Sequence, residues 1–266
     1  MKAYNIFDEE RSDLIGTLLY FEKDSSWIIE LQQDLDEWTA PLLLTSYVKK
    51  HIYTIPRDIS LLWVQERIIP SNRQNIQSIL DTHHLPKYDE RRFLEISSGR
   101  CSQDFFYIRK TKEIPSYVKE RFKRNLTDCT LCSDYSLLCF FRDDTIRKVQ
   151  LKDIPDDSGE IAKILRSSAL FASAQITPGG YAVTFNNSID LMAHELYTLG
   201  QPVPLQKEDF FSFLRNTILD TAEACELLEC SRQNLAYLTR TEQLVPVRKE
   251  VRGTLYSKGD ILKTRW

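Results

Sequence analysis

Hydrophobic and polar positions alternate from Leu14 to Leu31 on both sides of a polar Glu22–Ser26 stretch, which predicts two strands and a turn. "TAPLLLTSYVKKHIYTI" is apolar but irregular. Between Ile59 and Arg100 the apolar positions fall three and four apart, and this spacing predicts helices. Pro70 is expected to end the first, Ser71 or Asn72 to cap the second, and Asp89 to cap the third. Alternation returns in "SLLCFFRDDTIRKVQL", a hairpin around "RDD". It returns again in "SALFASAQITPGGYAVTFNNSIDL", read as a hairpin turning at Pro178, Gly179 and Gly180. A turn and a short helix are expected over Asp153–Leu165, and another short helix over "MAHELYTL". "GQPVPLQKED" reads as a linker.

The last stretch is the most informative. "TAEACELL" places Ala224, Cys225 and Leu228 on one helical face, with Thr221 as the expected cap. Ser231 is positioned to cap a second helix whose inward face is Leu235 and Leu238. Its other side carries Arg232, Gln233, Asn234, Tyr237 and Arg240. These are side chains that reach base edges and phosphates: Arg pairs with guanine at two points, Asn or Gln with adenine. "VPVRKEVRGTLYS" then reads as two strands turning near Arg252–Gly253, with Arg248, Lys249 and Arg252 placed to follow a phosphate backbone. "SKGDIL" opens a final helix.

These elements predict a multidomain α+β chain. An α+β domain of unassigned role spans 1–120, a small hairpin-rich α+β domain spans 125–204, and a winged helix-turn-helix domain spans 212–266. A chain of 266 residues with 42% hydrophobic residues can bury such cores. Eight glycines argue against glycine-rich phosphate loops. No apolar run approaches the ~20 residues of a membrane span. The opening "MKAYNIFDEERSD" is acidic and lacks an apolar core, which predicts no signal peptide. Six irregularly spaced cysteines suit reduced thiols, and the expected location is cytoplasmic. The whole chain carries −3, yet Arg232–Trp266 has eight Arg or Lys against three acids, a net +5, so a basic face is available for double-stranded DNA.

Three resemblances follow from these motifs. "TAEACELL", "CSRQNLAYL", "LVPVR" and "YSKGDI" resemble the winged helix-turn-helix of the MerR and excisionase group over about 45 residues. The resemblance implies DNA reading by the helix after Ser231. That group usually has Gly at the inter-helix turn, where this chain has Glu229. "LLCFFRDDTIRKVQLKDI", "SALFASAQI", "GGYAVTFNNSIDL" and "ELYTLG" resemble a small bacterial α+β family without assigned activity. Asp144 stands at one of its glycine positions, and Asn187 also stands in a turn position. The N-terminal "IGTLLYF", "RIIPSNRQNIQSIL" and "GRCSQD" faintly resemble the N-terminal subdomain of HipA-type kinases, with Ile69–Pro70, Gly99 and Cys101 as the matching positions. The kinase machinery is absent from the sequence: there is no Gly-rich loop with a following lysine, and "DFF" at Asp104 is not a metal-binding triplet.

The expected function is therefore a sequence-specific DNA-binding transcriptional regulator, not an enzyme. It would act as a homodimer reading two half-sites, in one version as an antitoxin-like protein with a toxin-type partner. The alternative is an adaptor whose helical C-terminal domain docks on another protein. No cofactor or metal is expected. "CTLC" (Cys129–Cys132) has the spacing of half a zinc site without a second half, and His83–His84 lacks a metal-binding spacing. Arg67, Arg73, Arg91, Arg92 and Arg100 read as surface pairing, and His194 and Glu195 as surface residues.

Overall fold

The computed structural model describes residues 1–202, 207–251 and 253–265, with backbone alone at 207, 208, 210, 211, 248–251 and 253. The chain is α+β, with antiparallel sheets throughout the described residues. It divides into two compact units, Met1–Lys119 and Glu120–Trp266. The middle and C-terminal segments thus fall together in the second unit.

In the first unit the expected hairpin forms as β2 (Leu14–Phe21) and β3 (Ser26–Leu31). Two further long strands are not apparent from the hydrophobic pattern. β1 (Lys2–Asp8) pairs with β2 on one side and with β5 (Phe106–Thr111) on the other. With β4 (Thr54–Ile55) the sheet order is β4-β3-β2-β1-β5. Helices α1 (Thr45–Lys49), α2 (Arg57–Gln65), α3 (Ile76–Thr82) and α4 (Glu90–Ser97) accompany it. The core gathers Tyr4, Ile6, Leu18, Trp27, Ile29 and Trp63, all 2% exposed or less.

Helix boundaries here correct the sequence reading in two places. α2 ends at Gln65, before Pro70, because Arg67 folds back and donates from Nη1 to the Trp63 carbonyl at 3.0 Å, satisfying a C-terminal acceptor. α3 starts after Asn75, with no side-chain cap from Ser71 or Asn72. Backbone turns Pro70–Arg73 and Arg73–Ile76 occupy that stretch instead. Asp89 does cap α4, accepting from the Arg92 amide at 3.1 Å. Arg67 is no surface arginine: it is 4% exposed and paired with Asp104.

α5 (Ser116–Phe122) runs across the division between the units. The second unit opens with β6 (Leu126–Leu131), β7 (Ser136–Phe141) and β8 (Ile146–Gln150). Asp144 turns the β7–β8 hairpin with φ +64°, and Asp143 Oδ1 accepts from the Thr145 amide at 3.0 Å. An Asp at a glycine position survives because its neighbour's carboxylate fixes the turn. α6 (Glu160–Arg166) follows. "SALFA", expected as strand, is instead helix α7 (Ser168–Ala172), because Ser167 caps it by accepting from the Leu170 amide at 3.2 Å. β9 (Gln175–Ile176), β10 (Ala182–Phe185) and β11 (Ile189–Met192) form a three-stranded sheet, with Asn187 in the tight β10–β11 turn at φ +55°. Gly180 is required at the β9–β10 turn: φ is +74°, and a Cβ there would lie 2.0 Å from the Leu126 carbonyl oxygen.

α8 (Ala193–Leu199) leads to β12 (Gln201–Pro202), which pairs with β8 and completes a sheet ordered β12-β8-β7-β6. The expected linker is therefore structured at its start, and residues 203–206 lie outside the described residues. His194 is half-buried rather than on the surface. α9 (Lys207–Thr217) then carries Asp209, 6% exposed, beside Lys148 Nζ at 3.4 Å, which ties the helix to β8.

Candidate nucleic-acid interface

β13 (Ile218–Leu219) leads into α10 (Thr221–Leu228). The cap is Asp220, not Thr221. Its Oδ1 accepts from the Ala222 amide at 2.7 Å and the Glu223 amide at 2.9 Å, while Glu223 Oε2 accepts from the Asp220 amide at 2.8 Å. This reciprocal box needs Glu at the third helical position, and only a start at Asp220 puts one there. Thr221, one residue on, uses its hydroxyl to donate to the Thr254 carbonyl at 3.4 Å.

α10 closes in the Schellman arrangement. The Glu229 amide donates to Glu226 O at 3.1 Å and the Cys230 amide to Cys225 O at 3.0 Å. Glu229 itself is left-handed, φ +54° and ψ +43°, so the position where the resembled group has glycine does require a positive φ here. Ser231 Oγ accepts from the Asn234 amide at 3.2 Å and starts α11 (Arg232–Arg240).

Ala224, Leu228 and Leu235 are buried together with Leu244, Tyr256 and Ile261, and Cys225 and Leu238 pack at the edge of that cluster. Leu235 fixes which way α11 turns. Arg232, Gln233, Asn234, Tyr237 and Arg240 are all exposed; Gln233, Tyr237 and Arg240 lie on the side opposite Leu235, and Arg232 and Asn234 flank it in the first turn. The Arg240 guanidinium sits 5.7 Å from the Tyr237 ring centre. Among the described residues no acid forms an ion pair with Arg232 or Arg240. The nearest carboxylate to the turn, Glu229, is engaged by Arg265 at 3.4 Å.

After α11, β14 (Arg248–Val251) and β15 (Gly253–Ser257) form the expected hairpin, and β15 also pairs with β13. Arg248 and Lys249 lie on β14, where the backbone alone is described, and Arg252 lies outside the described residues. α12 (Lys258–Arg265) closes the chain against β6. Lys258 Nζ stands 3.7 Å from Asp128, a buried β6 carboxylate that burial pushes up to about 6. Sequence reasoning misses this pair, because nothing in the local pattern of either segment connects positions so far apart.

The cysteines stand apart from this helix face or at its turn. Cys129 faces Cys139 across the β6–β7 pair. The Cys132 thiol donates to Asp209 at 3.3 Å and burial pushes it up to about 11, so it is a protonated structural thiol. Among the described residues no group of three or more His, Cys, Asp or Glu could hold a metal ion, and no helix is long and apolar enough to cross a membrane. No family model, curated protein or solved structure matches the chain.

Proposed function

We propose that the chain is a DNA-binding transcriptional regulator of the winged helix-turn-helix type, with α11 as its reading helix. The observation that carries this reading is the exposed face of α11: two arginines, a glutamine, an asparagine and a tyrosine stand together on a helix capped at its N-terminus. Residues near that end, Arg232, Gln233 and Asn234, reach base edges; Tyr237 and Arg240 flank them. Arg248, Lys249 and Arg252 lie along the phosphates as the wing. A single unit of this size reads few base pairs, so the regulator acts as a cytoplasmic homodimer on paired half-sites. An antitoxin-like role with a toxin-type partner is one form of the same reading.

Fluorescence anisotropy against DNA from upstream of its own gene tests the proposal, at two salt concentrations and beside an Arg232→Ala/Asn234→Ala variant. Binding should weaken with salt as counterions are released. The double change should cost about 1–3 kcal/mol for each side chain that reads a base edge, with unfolding unaffected. No binding to that DNA or to a pool of genomic fragments refutes it. The adaptor reading is favoured by one observation: Tyr237, Val245 and Val247 are 49%, 67% and 55% exposed, apolar surface that a protein partner would cover. A pull-down with the intact chain would then identify that partner.

A further inference from the structure

Six cysteines stand in very different surroundings. Cys132 and Cys139 are buried, Cys129 faces Cys139 within the sheet, and the Cys101 thiol donates to Asp104 at 3.4 Å. Cys225 and Cys230 are set apart. Both are half-exposed, and they occupy the two positions that a Schellman closure brings together, its amide–carbonyl bond linking their own backbones at 3.0 Å. The two positions whose side chains commonly meet in an apolar contact at this closure are here both cysteines. A backbone bond of 3.0 Å between the two residues holds their main chains close, and a short backbone separation is the first requirement of a disulfide. Burial and then the Cys230 thiol push the Cys225 thiol up, while Arg232, the first residue of α11, adds positive charge that opposes them and favours thiolate.

The position matters as much as the chemistry. Cys230 is followed at once by Ser231, the cap of α11, and Cys225 lies in the last turn of α10. A covalent bond between them would fix the angle at which α11 leaves the turn.

We infer that Cys225 and Cys230 are a reversible oxidation site, a dithiol that hydrogen peroxide converts to a disulfide and that thereby resets the placement of α11. One thiolate attacks a peroxide oxygen, the O–O bond breaks, and the sulfur becomes a sulfenic acid as hydroxide leaves and takes a proton to form water. The second thiolate attacks that sulfur, the S–S bond forms, and the hydroxyl leaves as a second water. Two thiols give up two electrons and two protons, and one peroxide becomes two waters. A small thiol such as dithiothreitol reverses the change by exchange. The effect on α11 rests on the DNA-reading proposal; the disulfide itself does not.

The experiment treats the reduced full-length protein with hydrogen peroxide and maps its cysteines by mass spectrometry, beside Cys225→Ser and Cys230→Ser, with circular dichroism to confirm that each variant folds. The expected product joins the Cys225 and Cys230 peptides with loss of two hydrogens, disappears with dithiothreitol, and forms in neither variant, while Cys129 and Cys139 stay thiols. Wild-type protein in both states is then titrated with the DNA that the reduced form binds, and a change of about tenfold is expected, within the usual range of coupling between linked sites. A disulfide elsewhere, sulfinic acid in place of a disulfide, or equal DNA affinity in the two states overturns the inference. A correct disulfide in a protein that binds no DNA in the reduced state leaves the oxidation site standing and refutes the DNA reading. DNA binding by a reduced protein that forms no disulfide does the reverse.

Discussion

Arg67 and Asp128, one buried charge from each unit, are held in opposite ways. In the first unit, Arg67 is 4% exposed and surrounded. Its guanidinium lies 3.7 Å over the Trp63 ring, donates to the Trp63 carbonyl, pairs with Asp104 and has Glu66 at 3.6 Å. In the second, Asp128 is 3% exposed and thinly held. One oxygen accepts from the Cys129 amide at 2.8 Å and faces Lys258 at 3.7 Å, while the other has no hydrogen-bond partner among the described residues. Among the described residues Arg67 also keeps one buried atom, Nε, without a hydrogen-bond partner, but its charge is met by a carboxylate, a carbonyl and a ring face; the orphan oxygen of Asp128 is a liability that protonation relieves. Arg67 takes Trp63 and Glu66 from the adjacent turn and Asp104 from elsewhere in its own unit, while Asp128 depends on Lys258 at the start of the last helix.

The largest effect should come from stripping Arg67 of its carboxylate. Asp104→Ala leaves a buried guanidinium with only a carbonyl, a ring face and a half-exposed glutamate. We expect a loss of about 3–5 kcal/mol, the cost of orphaning a buried ion. Urea unfolding followed by tryptophan fluorescence reads it well, since Trp27 and Trp63 are fully buried in this unit. A loss under about 1 kcal/mol would mean that the ring and the carbonyl suffice, and the contrast with Asp128 would collapse.

Asp128 should show the opposite sign. Its folded value, about 6, lies above the usual carboxylate value of 3.8, chiefly because of burial. Between those two values the unfolded chain is ionised and the folded chain keeps its proton, so stability falls as pH rises through the window. At about 1.4 kcal/mol per unit the full effect is about 2–3 kcal/mol. Asp128→Asn keeps an acceptor for the Cys129 amide and should flatten this slope, leaving the variant about 1–2 kcal/mol more stable than wild type at pH 7 once the lost Lys258 attraction is discounted. Asp134 does not obscure the result. Its hydrogen bonds from Ser136 and Gln150 and nearby Lys148 outweigh burial and hold it at about 2, so its own contribution is lost only as pH falls below 3.8. Chemical denaturation at a series of pH values separates the two, and an unchanged slope in the variant would show that Asp128 is ionised and well satisfied.

Much of the α10–α11 segment is legible in the sequence because its information is local. Ala224 and Leu228 fall at helical spacing on the first helix and Leu235 and Leu238 on the second, Ser231 precedes a helix, and Glu229 stands out at a turn position that favours glycine. The cap at Asp220 is missed by one residue because Thr221 is also a good cap. Only the reciprocal bond with Glu223 decides between them. β1 and β5 are hidden for a different reason. β5 pairs only with β1, about a hundred residues away, and β1 lies between β5 and β2, so both are settled by pairing across the sheet and not by local pattern. Arg67 reads as a surface charge because its burial comes from Trp63 and Asp104 together. Likewise the Asp128–Lys258 pair belongs to tertiary structure alone.

The smallest effect isolates backbone strain from charge on α12. Glu229 holds φ +54° and reaches Arg265 at 3.4 Å, but its side chain is 64% exposed. Two terms oppose each other when it becomes glycine. Relief of the left-handed backbone is worth about 1 kcal/mol, and loss of an exposed ion pair costs about 0–0.5 kcal/mol after solvent screening. Glu229→Gly should therefore raise stability by about 0.5–1 kcal/mol, seen as a small upward shift in Tm. The Schellman bonds at Glu229 and Cys230 should be retained, since glycine is the residue they favour. A lower Tm would mean that Arg265 holds the turn more firmly than the backbone resists it. Charge would then govern the C-terminal turn as it does Arg67, and the thin attachment of Asp128 would be the exception within its own unit.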